Sequence, residues 1–475
     1  MSLIFKQTNP NVKSDELIRT LNRMNELIRT LNRRIYFRWN VYMFLNLERF
    51  LEHFPHMPMS KEEFANKFTI MYATPQSLNE IFNLVPVKQG KKALIKNPET
   101  DKRFKNKQRI IDYFYEIIIE NRHRYLTYFY QAYFEFKDPR TLDWSDKHEI
   151  LTYPELFAPH PVISLQKNDA SRRLIRNLFY IELLQDTKVT NTVKSHVSFW
   201  ESLVNMYNKL QLEDRFFAPS SIDLFLKDKG AENERKPGTG GINYNNLFYL
   251  FQAYQPKASI FNPYSICWIL RNVLKGKGKL FTPVLSWGSY VPAFMHSNYE
   301  EYVGVDVMPT VCKKTEFLAS YYQSFGAPYN NKKVHIKCCP SESLNKDEAF
   351  LKKYAGYFDT VLLCPPYFDM EIYSEGDQSV KSYPDYEEWL DKYWRETIEV
   401  CFKVLAPGGS FAMIANDYNT LTGETRHITV DFDRIVRERF TAPDDGHLFY
   451  LQNRTSPLRV NAKDRTERLF IYKKE

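Results

Sequence analysis

The run Asp359-Thr-Val-Leu-Leu-Cys-Pro-Pro-Tyr-Phe368 carries a short apolar stretch into two prolines and an aromatic ring. Each proline lacks an N–H and has a locked φ, so neither a sheet nor a helix continues through Pro365-Pro366 and the chain must turn rigidly there. Such a turn directs backbone carbonyls outward beside the flat ring of Tyr367. Carbonyls accept N–H bonds from an exocyclic amine, and a ring stacks on the face of a planar base. Cys364, Pro365, Pro366 and Tyr367 are therefore the candidate catalytic residues of a base-amine methylation site. A proline-rich loop with a packing tyrosine is the alternative reading of the same residues.

Positioning such a loop requires a sheet, and the second half of the chain has the pattern for one. Short β-branched strands alternate with helices there, the signature of an α/β domain with a mainly parallel sheet. A first strand is expected over Lys279–Ser286, running into Ser286-Trp287-Gly288-Ser-Tyr. A strand-to-helix turn exposes free N–H groups, and glycine lets backbone approach a ligand closely. A second strand, Tyr302–Val305, ends in Asp306, where Rossmann-like domains keep an acid for ribose hydroxyls. A third, Val334–Cys338, leads to Ser341 and Glu342, candidates to border an adenine ring; an ordinary exposed carboxylate is the alternative for Glu342. The catalytic strand follows, then a helix over Tyr386–Leu405, a Gly408-Gly409 turn, a strand over Ser410–Ile414, and Leu448–Asn453 with Leu469–Lys473 as a terminal antiparallel hairpin.

The segment Cys364-Pro-Pro-Tyr-Phe-Asp-Met-Glu371-Ile-Tyr373-Ser374, followed by Gln378-Ser379, resembles a group of bacterial and phage DNA amino-methyltransferases. That family carries an (Asp/Asn/Ser)-Pro-Pro-Tyr catalytic motif, and this group has Ser-Pro-Pro-Tyr-Phe with Glu, Tyr and Gln-Ser at similar offsets. The resemblance runs from near Ser259 to the C-terminus and is most specific in the catalytic loop. It implies a seven-stranded methyltransferase fold and S-adenosylmethionine as cofactor, with Ser286, Trp287 and Gly288 at its methionine part and Asp306 on the ribose. Ile260-Phe-Asn262-Pro263 is similar to an Asn-Phe-Pro segment that packs over the methionine end. Two departures stand out: Cys364 replaces a residue whose side-chain oxygen accepts an amine N–H, and the cofactor turn lacks a second glycine and an arginine. Arg454-Thr-Ser-Pro-Leu-Arg459 also looks similar to the family and is a candidate nucleic-acid contact.

Composition bounds the rest. The chain has 475 residues, 43% of them hydrophobic and 16% aromatic, enough for two or three cored domains. No apolar run approaches a membrane span and the N-terminus lacks a secretory pattern, so a soluble protein of the cytoplasm or nucleus is expected, with no membrane partner. Six cysteines, all after residue 260 and without Cys-x-x-Cys spacing, point to buried reduced thiols rather than zinc or disulfides. A net charge of +8 is compatible with a polyanion partner.

The first half reads as helices. Residues 15–54 contain Glu-Leu-Ile-Arg-Thr-Leu-Asn-Arg twice, at Glu16–Arg23 and Glu26–Arg33. The spacing is close to three helical turns and gives an apolar stripe suited to packing or self-association. A helix cap is expected at Ser60–Glu63, a basic loop at Lys88–Arg109, and helices over Ile110–Phe136, Ser171–Leu184 and Val193–Leu210. Lys227–Gly241 reads as a linker.

Together these features give an α/β chain: a helical N-terminal region, 1–235, and a Rossmann-like seven-stranded methyltransferase domain, 242–475. The expected reaction is methyl transfer from S-adenosylmethionine to adenine N6 or cytosine N4, with DNA the preferred nucleic-acid partner. The candidate cofactor residues are Asn262, Ser286, Trp287, Gly288, Asp306 and Ser341, with no metal. An RNA amino-methyltransferase and a catalytically inactive methyltransferase-fold protein acting in nucleic-acid binding or assembly are the alternatives.

Overall fold

The computed structural model describes residues 43–53, 60–62, 133–145, 148–152, 159–165, 170–180, 188–189, 260–372, 377–420, 424–444, 446–453 and 466–475, with isolated residues between 115 and 182. Both copies of the octet, the segments 88–109, 193–210 and 227–241, and Arg454–Arg459 lie outside the described residues. The chain divides into two units, Met1–Asn46 and Leu47–Glu475. The sheet and the candidate site belong to the second.

Nine strands build one sheet: β1 Glu149–Thr152, β2 Pro161–Leu165, β3 Gly278–Thr282, β4 Tyr299–Asp306, β5 Lys333–Cys338, β6 Phe358–Leu363, β7 Leu405–Ala415, β8 Leu448–Asn453 and β9 Glu467–Lys473. Their spatial order is β1-β2-β8-β9-β7-β6-β3-β4-β5. Strands β5, β4, β3, β6 and β7 are parallel, while β9 runs antiparallel to both β7 and β8. The seven strands β3–β9 form the Rossmann-like arrangement expected from the sequence, terminal hairpin included. Two strands from the half expected to be helical extend it, because Val162–Leu165, opening on the β-branched pair Val162-Ile163, pairs in parallel with Tyr450–Asn453. The sheet therefore has nine strands rather than seven.

Central parallel strands are covered on both faces and so read as continuous apolar runs. Val361, Leu362 and Leu363 of β6 and Phe411–Ala415 of β7 are all buried. Two buried tyrosines fix neighbouring strands: the Tyr302 hydroxyl lies 2.7 Å from Thr282 Oγ1, and that of Tyr299 lies 2.6 Å from Thr360 Oγ1. The first strand ends at Thr282 rather than Ser286, since Pro283 cannot donate to the ladder. After β6, Tyr386–Trp389, a π-turn at Leu390–Arg395 and Glu396–Val404 stack Trp389 and Trp394 into the core beside Phe432. Gly408 takes φ 74° where β7 slips register against β6.

Helix α1, Ala170–Leu178, and the residues around Trp144 pack on the later half of the chain. Trp144 stacks on Tyr264 with ring centroids 4.5 Å apart. Lys314 donates to Glu182 at 2.8 Å and to the Leu178 carbonyl at 2.9 Å. All six cysteines are free, but only Cys267, Cys312 and Cys401 are buried; Cys339 and Cys364 are half-buried and Cys338 is exposed. No helix among the described residues is long and apolar enough to cross a membrane.

Candidate functional site

In an open α/β sheet, ligands bind beyond the carboxyl ends of the strands, where the order reverses. Here the chain moves outward from β3 to β4 and β5, then returns to the other side of β3 with β6. The segments following β3, β4 and β6 meet in one cavity of about 630 Å³. That volume lies within the range of small-molecule and cofactor sites. Its wall takes Ser286 and Trp287 from the first, Asp306 from the second, Cys364, Pro365, Pro366 and Tyr367 from the third, and Ser341 from the segment after β5.

The turn after β3 is left-handed at three consecutive residues, with φ 47° at Ser286, 56° at Trp287 and 70° at Gly288. The two non-glycine residues adopt a conformation that costs roughly 1–2 kcal/mol each. It is held by Gly288 N–H donating to the Leu285 carbonyl at 2.9 Å and Ser289 N–H to that of Ser286 at 3.1 Å. Trp287 packs edge-on to Phe179, centroids 6.0 Å apart. Gly288 is not on the cavity wall. A Cβ there would meet Thr315 Oγ1 at 3.1 Å and the Phe179 ring at 3.3 Å, so this glycine serves close packing. Nor does Asn262 reach the cavity: its Oδ1 caps a helix, accepting from Tyr264 N–H at 3.0 Å and Ser171 Oγ at 2.9 Å. Its neighbour Phe261 lines the wall instead.

Asp306 closes the turn, accepting from Leu285 N–H at 3.2 Å through Oδ2 and from Met308 N–H at 3.0 Å through Oδ1. Its carboxylate also lines the cavity. Burial pushes the carboxyl up to about 6, against the pull of the backbone N–H groups. Ser341 Oγ lies 3.0 Å from Thr397 Oγ1. Glu342 also borders the cavity; burial raises its carboxyl, and Tyr383 donates to it at 3.4 Å.

The Pro-Pro loop is tied at both ends. Cys364 N–H donates to the buried Tyr290 hydroxyl at 2.7 Å, and Asn416 N–H donates to the Tyr367 hydroxyl at 3.0 Å. Tyr367 meets Tyr418 edge-on, centroids 5.7 Å apart, which leaves its ring on the cavity wall. Burial pushes the Cys364 thiol up to about 12, so it stays protonated near neutrality.

Sequence reasoning missed four cavity or anchor residues. Tyr290 stands at the end of the Ser286–Tyr290 turn, but nothing in the sequence marks its hydroxyl as an anchor 74 positions from its partner. Asn416 and Asp417 follow the last parallel strand, where loop residues of open sheets face ligands, a signal that was available. Glu467 lies at the start of β9 with no motif around it.

A mostly parallel α/β sheet with a cavity at its switch point, an acid after the second parallel strand and a tight turn after the first is the layout in which Rossmann-like domains hold nucleotide-containing cofactors. No protein-family model and no curated protein matches the chain. Among solved structures it is similar to the N-methyltransferase NodS from Bradyrhizobium japonicum in complex with S-adenosyl-L-homocysteine, at 12% identity and TM-score 0.28 over 45% of this chain and 85% of that one. It is also similar to TrmN from Thermus thermophilus, at 12% identity and TM-score 0.28 over 45% and 49%, and to an rRNA methylase from Streptococcus thermophilus, at 13% and 0.27 over 46% and 99%.

Proposed function

We propose that the protein transfers the methyl group of S-adenosylmethionine to an exocyclic base amine, adenine N6 or cytosine N4, of DNA. The observation that carries the reading is the convergence of the Ser286–Trp287 turn, Asp306 and the Cys364–Tyr367 loop on one cavity. The wall suits this cofactor chemically. Asp306 offers carboxylate lone pairs for ribose hydroxyls, Glu342 and Ser341 offer polar atoms for an adenine edge, and Val307, Met308 and Pro340 offer apolar surface for its ring. When bound, the cofactor supplies an electrophilic methyl group, so neither a covalent enzyme intermediate nor a metal is needed for the transfer.

The chain's own contribution is positional. Tyr367 stacks a base turned out of its helix, worth roughly 1–3 kcal/mol. The Pro365 carbonyl accepts an N–H of the amine and orients its lone pair, with the loop held by Tyr290 from below. Positioning of this kind supplies much of the rate in bimolecular transfers. Target reading falls to the N-terminal region and self-association to its repeated octet.

The test is calorimetry with S-adenosylmethionine, followed by transfer of a labelled methyl group to duplex DNA and to single-stranded RNA by one preparation. Cofactor binding with DNA labelled in preference supports the reading. Preferential labelling of RNA replaces the substrate, and no binding at millimolar cofactor leaves a non-catalytic nucleic-acid-binding role.

A further inference from the structure

The end of the cavity beside Cys364 is unusual in its chemistry. Glu467, the first residue of β9, pairs with Leu451 on β8 and sits one step beyond the Arg468 to Ala415 pair with β7, so it is level with Asn416. Both Glu467 and Asn416 line the cavity together with Cys364. Asn416 Oδ1 is buried without a hydrogen-bond partner among the described residues. The Glu467 carboxyl makes no hydrogen bond or ion pair with another described residue, whereas the next residue, Arg468, is engaged by Asp417 at 3.3 Å. Acceptors without donors, in a partly buried wall, call for a ligand that brings N–H groups.

Resting on the base-amine reading above, we propose that Glu467 is a second acceptor for the exocyclic amine beside the Pro365 carbonyl: its carboxylate takes the other N–H of the base and receives the proton released when that amine is methylated. In the step, the amine lone pair forms the new N–C bond and the C–S bond breaks, its electrons passing to sulfur. One N–H proton leaves the methylated nitrogen for the Glu467 carboxylate, which gives it up to water after product release. This assigns to Glu467 the oxygen that the related catalytic motif carries in place of Cys364, whose thiol is a weak acceptor. Burial raises the Glu467 carboxyl above its usual range, with Arg172 on α1 pulling the other way, and its charge reaches the Cys364 thiol. A raised carboxyl is the better proton acceptor near neutrality.

The experiment compares the full chain with Glu467→Gln and Glu467→Asp at saturating S-adenosylmethionine. Glu467→Gln should lower the single-turnover rate of base methylation at least a hundredfold and abolish its rise with pH, with cofactor affinity by calorimetry within twofold of wild type. Independently of turnover, wild type should hold a random single-stranded DNA pool more tightly than the same pool deaminated with nitrous acid, and the variant should not distinguish them. Glu467→Asp, which only draws the carboxyl back, should keep the pH-dependent rise at a reduced rate; it also serves as the variant if Glu467→Gln does not fold. Wild-type rate and pH profile in these variants, or a loss traced to cofactor affinity, would overturn the role of Glu467 and leave the base-amine reading standing. Absence of base methylation by the wild type would overturn both.

Discussion

Asp306 carries a pH signature that can be read without any substrate. Raised from 3.8 to about 6 by burial, its carboxyl when ionised costs the folded protein roughly 3 kcal/mol at about 1.4 kcal/mol per pH unit. The sign follows from the two states. Below pH 3.8 the group is protonated both folded and unfolded and carries no penalty; as pH rises toward and past 6 the unfolded chain ionises first, and stability falls. Asp306→Asn cannot titrate. Losing one of the two side-chain oxygens that accept backbone N–H groups shifts its stability by a constant, roughly 1–3 kcal/mol. The difference in unfolding free energy between wild type and variant should therefore change by about 2 kcal/mol between pH 4 and 7, in favour of the variant as pH rises. Urea titrations of both proteins at half-unit pH steps measure it. A difference that stays flat within about 0.5 kcal/mol would refute the claim that this carboxyl is buried at a desolvating cavity wall. Under the proposed function, the same substitution should weaken S-adenosylmethionine binding at least tenfold at pH 8. Wild-type affinity should rise as pH passes through 6, because ribose hydroxyls donate to the ionised form.

Other outcomes follow from single contacts. Tyr290→Phe leaves the Cys364 N–H without its partner and should destabilise the protein by about 1–3 kcal/mol in urea titration, with methyl transfer falling further than cofactor affinity. Ser286→Gly relieves a left-handed residue, so the urea midpoint should rise, by an amount equivalent to at most about 1–2 kcal/mol; an unchanged or lower midpoint would contradict the strain assigned to this turn. Tyr367→Ala removes the stacking ring and should reduce base methylation steeply at preserved calorimetric affinity for S-adenosylmethionine; equal activity would exclude the loop as a base pocket.

How much of this was legible beforehand depended on range. Strands β3 to β9 announced themselves by local apolar runs and turn residues, and Cys364–Tyr367 by the incompatibility of two prolines with any regular element. The contribution of β2 was harder to see, since Val162-Ile163 is a short run whose partner lies almost 300 residues later. At Gly288 a glycine at a ligand turn and a glycine under an aromatic ring look the same in sequence; the Phe179 contact is non-local. Asn262 drew attention by its neighbours, while its own amide was committed to a helix cap. Glu467 had no local signal, because its role is set by which strand lies beside β7.

The attachment of β2 to β8 has a consequence for where the chain can be divided. A fragment starting at 242 would keep every residue of the seven-strand arrangement, yet it would lose the run that saturates the outer side of Leu448–Asn453. Val162 and Ile163, both fully shielded from solvent, would no longer cover that border. What remains is a line of open N–H and C=O groups on an aromatic-rich strand, a template for recruiting a strand from another molecule. Such a fragment should gather into oligomers through β8, and including residues from 149 onward should suppress that association.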